Sequence, residues 1–304
     1  MSTIDKTEVT DKGLPIKAVP VRHPGRWITV AVLLLLAAMA ANSLITNPNW
    51  RWDTFSRYVF TEIVFQGLWK TIWITVASMV IGIVLGVILA VMRMSPNPVV
   101  KTVAWLYIWF FRGTPVLVQI VFWVYLAQLY RYVSLGIPFG PEFIFFDVNE
   151  LIPVIVGGVL ALGLNEAAYM AEIVRSGILS VGKGQSEAAE ALGMTRGKLM
   201  RRIVLPQAMR IIVPPTGNEV ISMLKTTSLL VMAAITELFT TVQNVYNSNY
   251  QQVPLLVVAS FWYLVVTSVL SVGQFYLERH FGRGVAGSRQ QRAKRRLATM
   301  GPNA

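Results

Sequence analysis

An all-α protein embedded in a membrane is the fold class predicted by this sequence, on three observations. Runs 27–50, 71–92, 113–130 and 238–277 contain no Asp, Glu, Lys or Arg, and each approaches or exceeds the ~20 apolar residues a helix needs to cross a bilayer core. Only 14% of the 304 residues are charged and 54% are hydrophobic, whereas about 25% of a soluble domain is charged. The positive charge is also segregated. With the amino terminus placed in the cytoplasm, segments 1–26, 93–101, 175–210 and 279–304 hold 21 of the 27 Lys and Arg, and segments 47–66, 131–150 and 236–253 hold three. That is the positive-inside pattern of a multi-pass protein with both termini cytoplasmic. The net charge of +12 therefore reflects orientation in lipid and gives no reason to expect a nucleic-acid partner.

Six crossings are expected, near 27–46, 67–92, 102–130, 151–174, 209–235 and 254–278. The first follows a polar stretch, 1–26, and is too long for a cleaved signal, so it reads as an anchor. Residues 1–26, with Pro15, Pro20, Pro24 and many charges, read as a disordered cytoplasmic tail. The third and fifth crossings contain Gly113-Thr114-Pro115 and Pro214-Pro215, which are expected to interrupt helices where protein or a wet cavity supplies hydrogen-bond partners. Segment 131–150, rich in Pro, Gly and Phe, reads as a short surface helix or docking loop on the outer side. The basic tail 279–304, with RQQRAKRR at 289–296, suits a juxtamembrane segment drawn to anionic lipid.

Several chemistries are excluded. There is no Cys, hence no disulfide, thiolate metal site or Cys nucleophile. His23 and His280 only flank spans, and no HExxH or GxSxG string occurs. Residues 177–184 resemble a phosphate loop, but Gly184 stands where a Ser or Thr is needed, and the string follows a span instead of a strand.

The most specific stretch is EAAEALGMTRGKLMRRIVLP at 187–206. Physically it is a short helix with small residues on one side, a Gly break, and a basic second helix stopped by Pro. Ala188, Ala189 and Gly193 would admit a closely approaching protein surface. FRGTPVLVQI at 111–120, AAYMAEIVRSGI at 167–178, GQSEAAEALGM at 184–194 and LPQAMRIIVPPTGNEVISMLKTTSLL at 205–230 accompany it. Together these strings, over about 210 residues, resemble the permease subunits of type I ATP-binding-cassette importers, polar amino-acid subgroup. Two departures, Lys225-Thr-Thr-Ser and Ser176, leave local substrate contacts open.

The resemblance implies a five-helix type-1 permease domain at 67–278, preceded by an added transmembrane helix at 27–46, in a bacterial plasma (inner) membrane. It implies that the loop at 184–206 docks an ATPase subunit, with Glu187, Ala188, Ala189, Gly193, Ile203, Leu205 and Pro206 in the coupling contact. It implies no cofactor on this chain, ATP and Mg being used by the partner ATPase. The other implied partners are a second permease subunit, identical or related, and an extracytoplasmic amino-acid-binding protein.

Ionisable groups inside spans cost roughly 2.5 kcal/mol or more on insertion scales, so each asks for a role. Arg112, Glu166, Glu172, Glu219, Lys225 and Glu237 are such groups. Asn165, Tyr169 and Glu172 fall on one helical face. A zwitterionic amino acid needs acceptors for its ammonium and donors for its carboxylate, and Thr114, Gln119, Asn165, Glu166 and Tyr169 are the candidate contacts. The structural reading is that Arg112 or Lys225 pairs with a Glu to hold helices together. A self-sufficient secondary transporter or channel is the competing function; it needs no EAA spacing and usually shows inverted repeats.

Overall fold

The computed structural model describes residues 24–282 apart from 138, so the expected disordered tail, save its last three residues, and the basic tail beyond 282 lie outside the described residues. The chain forms two units, Met1–Trp50 and Arg51–Ala304. In the first, α1 (Pro24–Thr46) is an uninterrupted apolar helix of 23 residues, followed by a 3-10 turn at Pro48–Trp50. At 1.5 Å per residue, α1 is about 34 Å long, enough to cross a bilayer core.

The second unit begins with α2 (Trp52–Tyr58), α3 (Glu62–Arg93), α4 (Pro98–Gly113), α5 (Val116–Val124) and α6 (Leu126–Leu129). A hairpin of β1 (Tyr132–Gly136) and β2 (Glu142–Asp147) follows, then α7 (Val148–Leu151), α8 (Val154–Leu179), α9 (Lys183–Ala191) and α10 (Arg196–Leu199). A π-helical stretch, Met200–Val204, leads into α11 (Leu205–Thr226); a 3-10 stretch, Thr227–Ala233, precedes α12 (Leu238–Asn249) and α13 (Gln252–Gly282). Among the described residues, helices α1, α3, α8 and α13 are each long and apolar enough to cross a membrane; two bent helix pairs bring the number to six when each counts as one span.

The first bent pair has its break at Gly113-Thr114-Pro115, where the sequence leads one to expect an interruption of the third crossing. Pro115 has no N–H to continue α4, and as the residue before proline Thr114 is extended, at φ −110° and ψ 143°. The axis of α5 turns 102° from that of α4. Asn97 starts α4 by accepting from Val99 N and Val100 N at 2.9 and 3.4 Å, with Pro98 in the first turn.

The second bent pair corrects the expected break at Pro214-Pro215. Helix α11 runs through both prolines to Thr226. The Pro214 carbonyl is satisfied sideways by Gln274 Nε2 at 2.7 Å from α13, and neighbouring helices of this kind are what make intramembrane proline tolerable. The helix changes to 3-10 geometry at Thr227 and turns at Ala234, in the left-handed region at φ 53°. Glu237 then caps α12, whose axis lies 46° from the preceding segment.

Segment 131–150 holds an antiparallel hairpin in place of the expected helix or loop.

The centre of the unit is α8 against α3. The string Gly82-Ile-Val-Leu-Gly86 is a GxxxG pattern that allows close approach of helix backbones. A Cβ at Gly82 would sit 2.5 Å from Glu166 Cγ, and one at Gly86 2.5 Å from Met170 Cβ. The main core joins Ile74, Met79, Ile120, Leu162, Met223 and Leu230, tying α3, α5, α8, α11 and the 3-10 stretch together.

Candidate functional site

A cavity of about 480 Å³ opens where the α4–α5 break faces α8 and α11. Its charged lining groups are Arg112, Glu166 and Glu219; Thr114, Asn165, Tyr169, Ser222 and Thr226 add polar groups. The residues of the break, Gly113, Thr114, Pro115 and Val116, form part of its wall.

Glu166 is only 5% exposed, and its Oε1 is buried with no hydrogen-bond partner. Its side chain rests against Gly82, so the GxxxG face of α3 sets where the carboxylate stands. Arg112 does not pair with it: the guanidinium lies over the Tyr169 ring, 5.2 Å from the centroid. Among the described residues the single salt bridge is Arg175 to Glu172, 2.7 Å, one turn further along α8. Glu172 is thereby spent locally and does not line the cavity. The alternative in which Arg112 or Lys225 neutralises a buried Glu has no counterpart among these contacts.

Four of the five expected substrate contacts, Thr114, Asn165, Glu166 and Tyr169, line this one cavity. Gln119 does not. It is buried behind the break, where its Nε2 donates to Phe111 O, Thr114 O and Thr114 Oγ1 at 3.0, 3.1 and 2.7 Å, and its Oε1 accepts from Asn165 Nδ2 at 3.2 Å. Asn165 Nδ2 also donates to Phe111 O, 3.0 Å. Gln119 and Asn165 thus satisfy carbonyls that the break frees, and Gln119 holds the cavity wall without facing its interior. Arg112, Glu219, Ser222 and Thr226 were absent from the expected contacts. For the three on α11 the available signal is helical spacing, since 219, 222 and 226 fall on one face of a helix; Arg112 lies on α4 and has no such signal.

Glu237, grouped with these residues in sequence, occupies a different setting. It is fully buried and accepts from Phe239 N, Thr240 N, Thr240 Oγ1, Thr71 Oγ1 and Tyr263 OH at 2.8 to 3.2 Å. Both oxygens are occupied as the cap of α12.

In the loop, α9 ends in a Schellman arrangement. Met194 N donates to Ala189 O at 3.1 Å and Gly193 N to Glu190 O at 2.9 Å, with Gly193 in the left-handed region at φ 74°. Gly193 is therefore needed for the turn, and it is also open on its outer side. Ala189 differs from the expectation of an outward-facing small residue. It is 2% exposed and packs with Leu199 and Val204, with Ile203 half-buried beside them. Glu187, Ala188, Leu205 and Pro206 are exposed, and so is Leu192, at 83%, an apolar residue that the spacing argument passed over.

Residues 82–283 match the family described as binding-protein-dependent transport system inner membrane component. The chain belongs to that family. It is a multi-pass permease subunit of a binding-protein-dependent transport system. Family membership also removes the self-sufficient transporter or channel as a reading.

Relatives of the permease are similar over most of its length. It is 51% identical over 272 residues to the arginine transport system permease protein ArgU of Corynebacterium glutamicum, covering 89% of this chain and 84% of that one. It is 36% identical to the L-cystine transport system permease protein TcyB of Bacillus subtilis, over 77% of this chain and 93% of the other. A solved structure described as an amino acid ABC transporter with histidines superposes with a TM-score of 0.62 at 33% identity, covering 74% of this chain and 97% of that chain.

Proposed function

We propose that this permease forms the pathway of an ATP-driven importer of polar amino acids, with cationic ones favoured. The observation that carries the proposal is the charge set of the cavity: two carboxylates, Glu166 and Glu219, and one guanidinium, Arg112. An α-amino acid brings one ammonium and one carboxylate. Arg112 suits the carboxylate, Glu166 the ammonium, and Glu219 remains for a positive side chain. Thr114, Asn165, Tyr169, Ser222 and Thr226 complete the polar contact. Relatives named for arginine and cystine, and a structure described with histidines, support an amino-acid substrate.

An unpaired carboxylate in a dry interior is costly, whereas a cavity that receives an ammonium group compensates it. Leaving Glu166 without a fixed cation keeps the site available to a cationic group that arrives and departs. The break at 113–115, held by Gln119 and Asn165, gives α4 and α5 a joint between two otherwise rigid helices.

Energy comes from a separate ATPase subunit that binds ATP and Mg, docked on α9 and the following turn through Glu187, Ala188, Leu192, Leu205 and Pro206. Ala189 and Ile203 support that surface from beneath, and Gly193, open on its outer side, makes the turn within it. A second permease subunit completes the pathway, and an extracytoplasmic binding protein delivers substrate. Closure of the ATPase dimer moves α9 and α10 and switches the cavity between inward and outward access. The charge split supports cytoplasmic termini in a bacterial inner membrane.

The test is purification of the assembled complex followed by ATPase assays with cationic, neutral and acidic amino acids presented by the binding protein. An ATPase chain is expected to co-elute and cationic amino acids to stimulate it most. Purification without an ATPase, or stimulation by acidic amino acids alone, contradicts the proposal. In the same Cys-free chain, a cysteine at Gly140 is expected to react with an impermeant thiol reagent from outside, and one at Gly197 to stay unlabelled.

A further inference from the structure

The hairpin at 132–147 serves neither the cavity nor the docking loop, and its two faces differ. The register pairs Tyr132 with Asp147, Val133 with Phe146, Ser134 with Phe145 and Leu135 with Ile144. Because side chains alternate along a strand, Val133, Leu135, Ile144 and Phe146 form one wholly apolar face, and Tyr132, Ser134, Phe145 and Asp147 form the other. All four apolar residues are exposed. At the far end Gly136 and Glu142 meet at an irregularity where a Cβ would lie 2.5 Å from Pro141 O, and Phe139 at the tip is fully exposed.

A two-stranded hairpin is marginal in water without a covering surface. We infer that this hairpin lies in the lipid–water interface, its wholly apolar Val133–Leu135–Ile144–Phe146 face against phospholipid acyl chains and its mixed Tyr132–Ser134–Phe145–Asp147 face toward the headgroups. The β period of two here does what the polar and apolar sides of an interfacial helix do.

Three observations select lipid as the occupant. The base of the hairpin lies next to the start of a membrane segment: Val148 N donates to Arg131 O at 3.0 Å, and α8 begins at Val154. The strands, about 17–20 Å long, therefore start at the membrane surface. The segments that flank the hairpin also expose large apolar and aromatic side chains, Phe122, Tyr125, Leu129, Tyr130 and Val154, of the composition found at membrane boundaries. Finally, Arg131 lies over the Tyr132 ring, 5.4 Å from the centroid, an apolar body with a charged tip suited to headgroup depth. A delivery protein that leaves after each cycle would return this face to water, whereas lipid covers it throughout.

The chain has no Cys, so single cysteines at Leu135 and Ser134 can carry an environment-sensitive fluorophore in the assembled complex. The complex is placed in bilayers of phosphatidylethanolamine and phosphatidylglycerol bearing a nitroxide near the glycerol end of one acyl chain. Fluorescence at position 135 is expected to be blue-shifted and more strongly quenched than at 134. Val133→Cys reads the same face should the Leu135 variant fail to assemble. Equal, water-like emission at both positions overturns the inference. So does a probe at 135 or 133 that is shielded from water yet unquenched by the nitroxide lipid, because a protein surface then covers the face.

Discussion

Glu237 receives five hydrogen bonds at the start of α12, while Glu166 on α8 has a buried oxygen with no partner. Both carboxylates are buried in broken or glycine-packed parts of the bundle, at 0% and 5% exposure. The difference lies in who supplies their donors. Around Glu237 the backbone of α12 and the hydroxyls of Thr71, Thr240 and Tyr263 complete the set. Around Glu166 the chain leaves a cavity with Arg112 turned onto Tyr169. A filled carboxylate joins helices; an unfilled one beside a cavity has capacity for a ligand. Depth in the membrane and charge, which are all that a sequence gives, do not separate the two.

The largest stability effect is expected at the filled site. Glu237→Ala leaves two α12 N–H groups and three hydroxyls without their carboxylate acceptor, and at about 1–3 kcal/mol for each group left unsatisfied the loss is about 5 kcal/mol or more before relaxation. Thermal unfolding of the purified complex in detergent reads this as a large fall in Tm. A change within error would mean that Glu237 is not holding α12 to α3 and α13, and the contrast between the two carboxylates would collapse.

A smaller effect is expected at the contact between regions. Gly82→Ala places a methyl 2.5 Å from Glu166 Cγ, and forcing an extra carbon into a packed helix pair costs about 1–3 kcal/mol. Because the displaced group is the cavity carboxylate, transport is expected to fall more than stability does. Equal behaviour of Gly82→Ala and Gly86→Ala in both assays would show that the GxxxG face only packs helices and does not place Glu166.

Much of this was readable from the chain. Charge-free runs cover most of α1, α3 and α13 together with α5, α6 and α12, but not α4, α8 or α11, and the missing N–H of Pro115 with extended Thr114 marked the true break. Pro214-Pro215 misled because helix tolerance of proline depends on a partner 60 residues away, Gln274, which no local pattern reveals. The hairpin was hidden by its Pro, Gly and Phe content, although the alternation of Val133 with Leu135 and of Ile144 with Phe146 carried its period of two. Ala189 was read as an outward surface because the helix spacing identifies a face without saying what covers it; Leu199 and Val204 do so from beyond the turn. Glu237 as a cap was not legible, since Glu is outside the usual Ser, Thr, Asp and Asn set. The membership of Arg112 and Glu219 in one cavity with Glu166 required three helices to be brought together.

The smallest stability change is expected at Glu166, and there the central claim is tested most directly. The complex carrying Glu166→Gln, reconstituted in proteoliposomes with its binding protein, is to be compared with wild type for uptake of radiolabelled cationic amino acid, with Tm recorded on the same preparations. The account predicts uptake reduced about tenfold, the scale of one lost charged contact of 1.4 kcal/mol or more, with Tm close to that of wild type. Unchanged uptake together with a marked fall in Tm would contradict it and assign Glu166 the same structural role as Glu237.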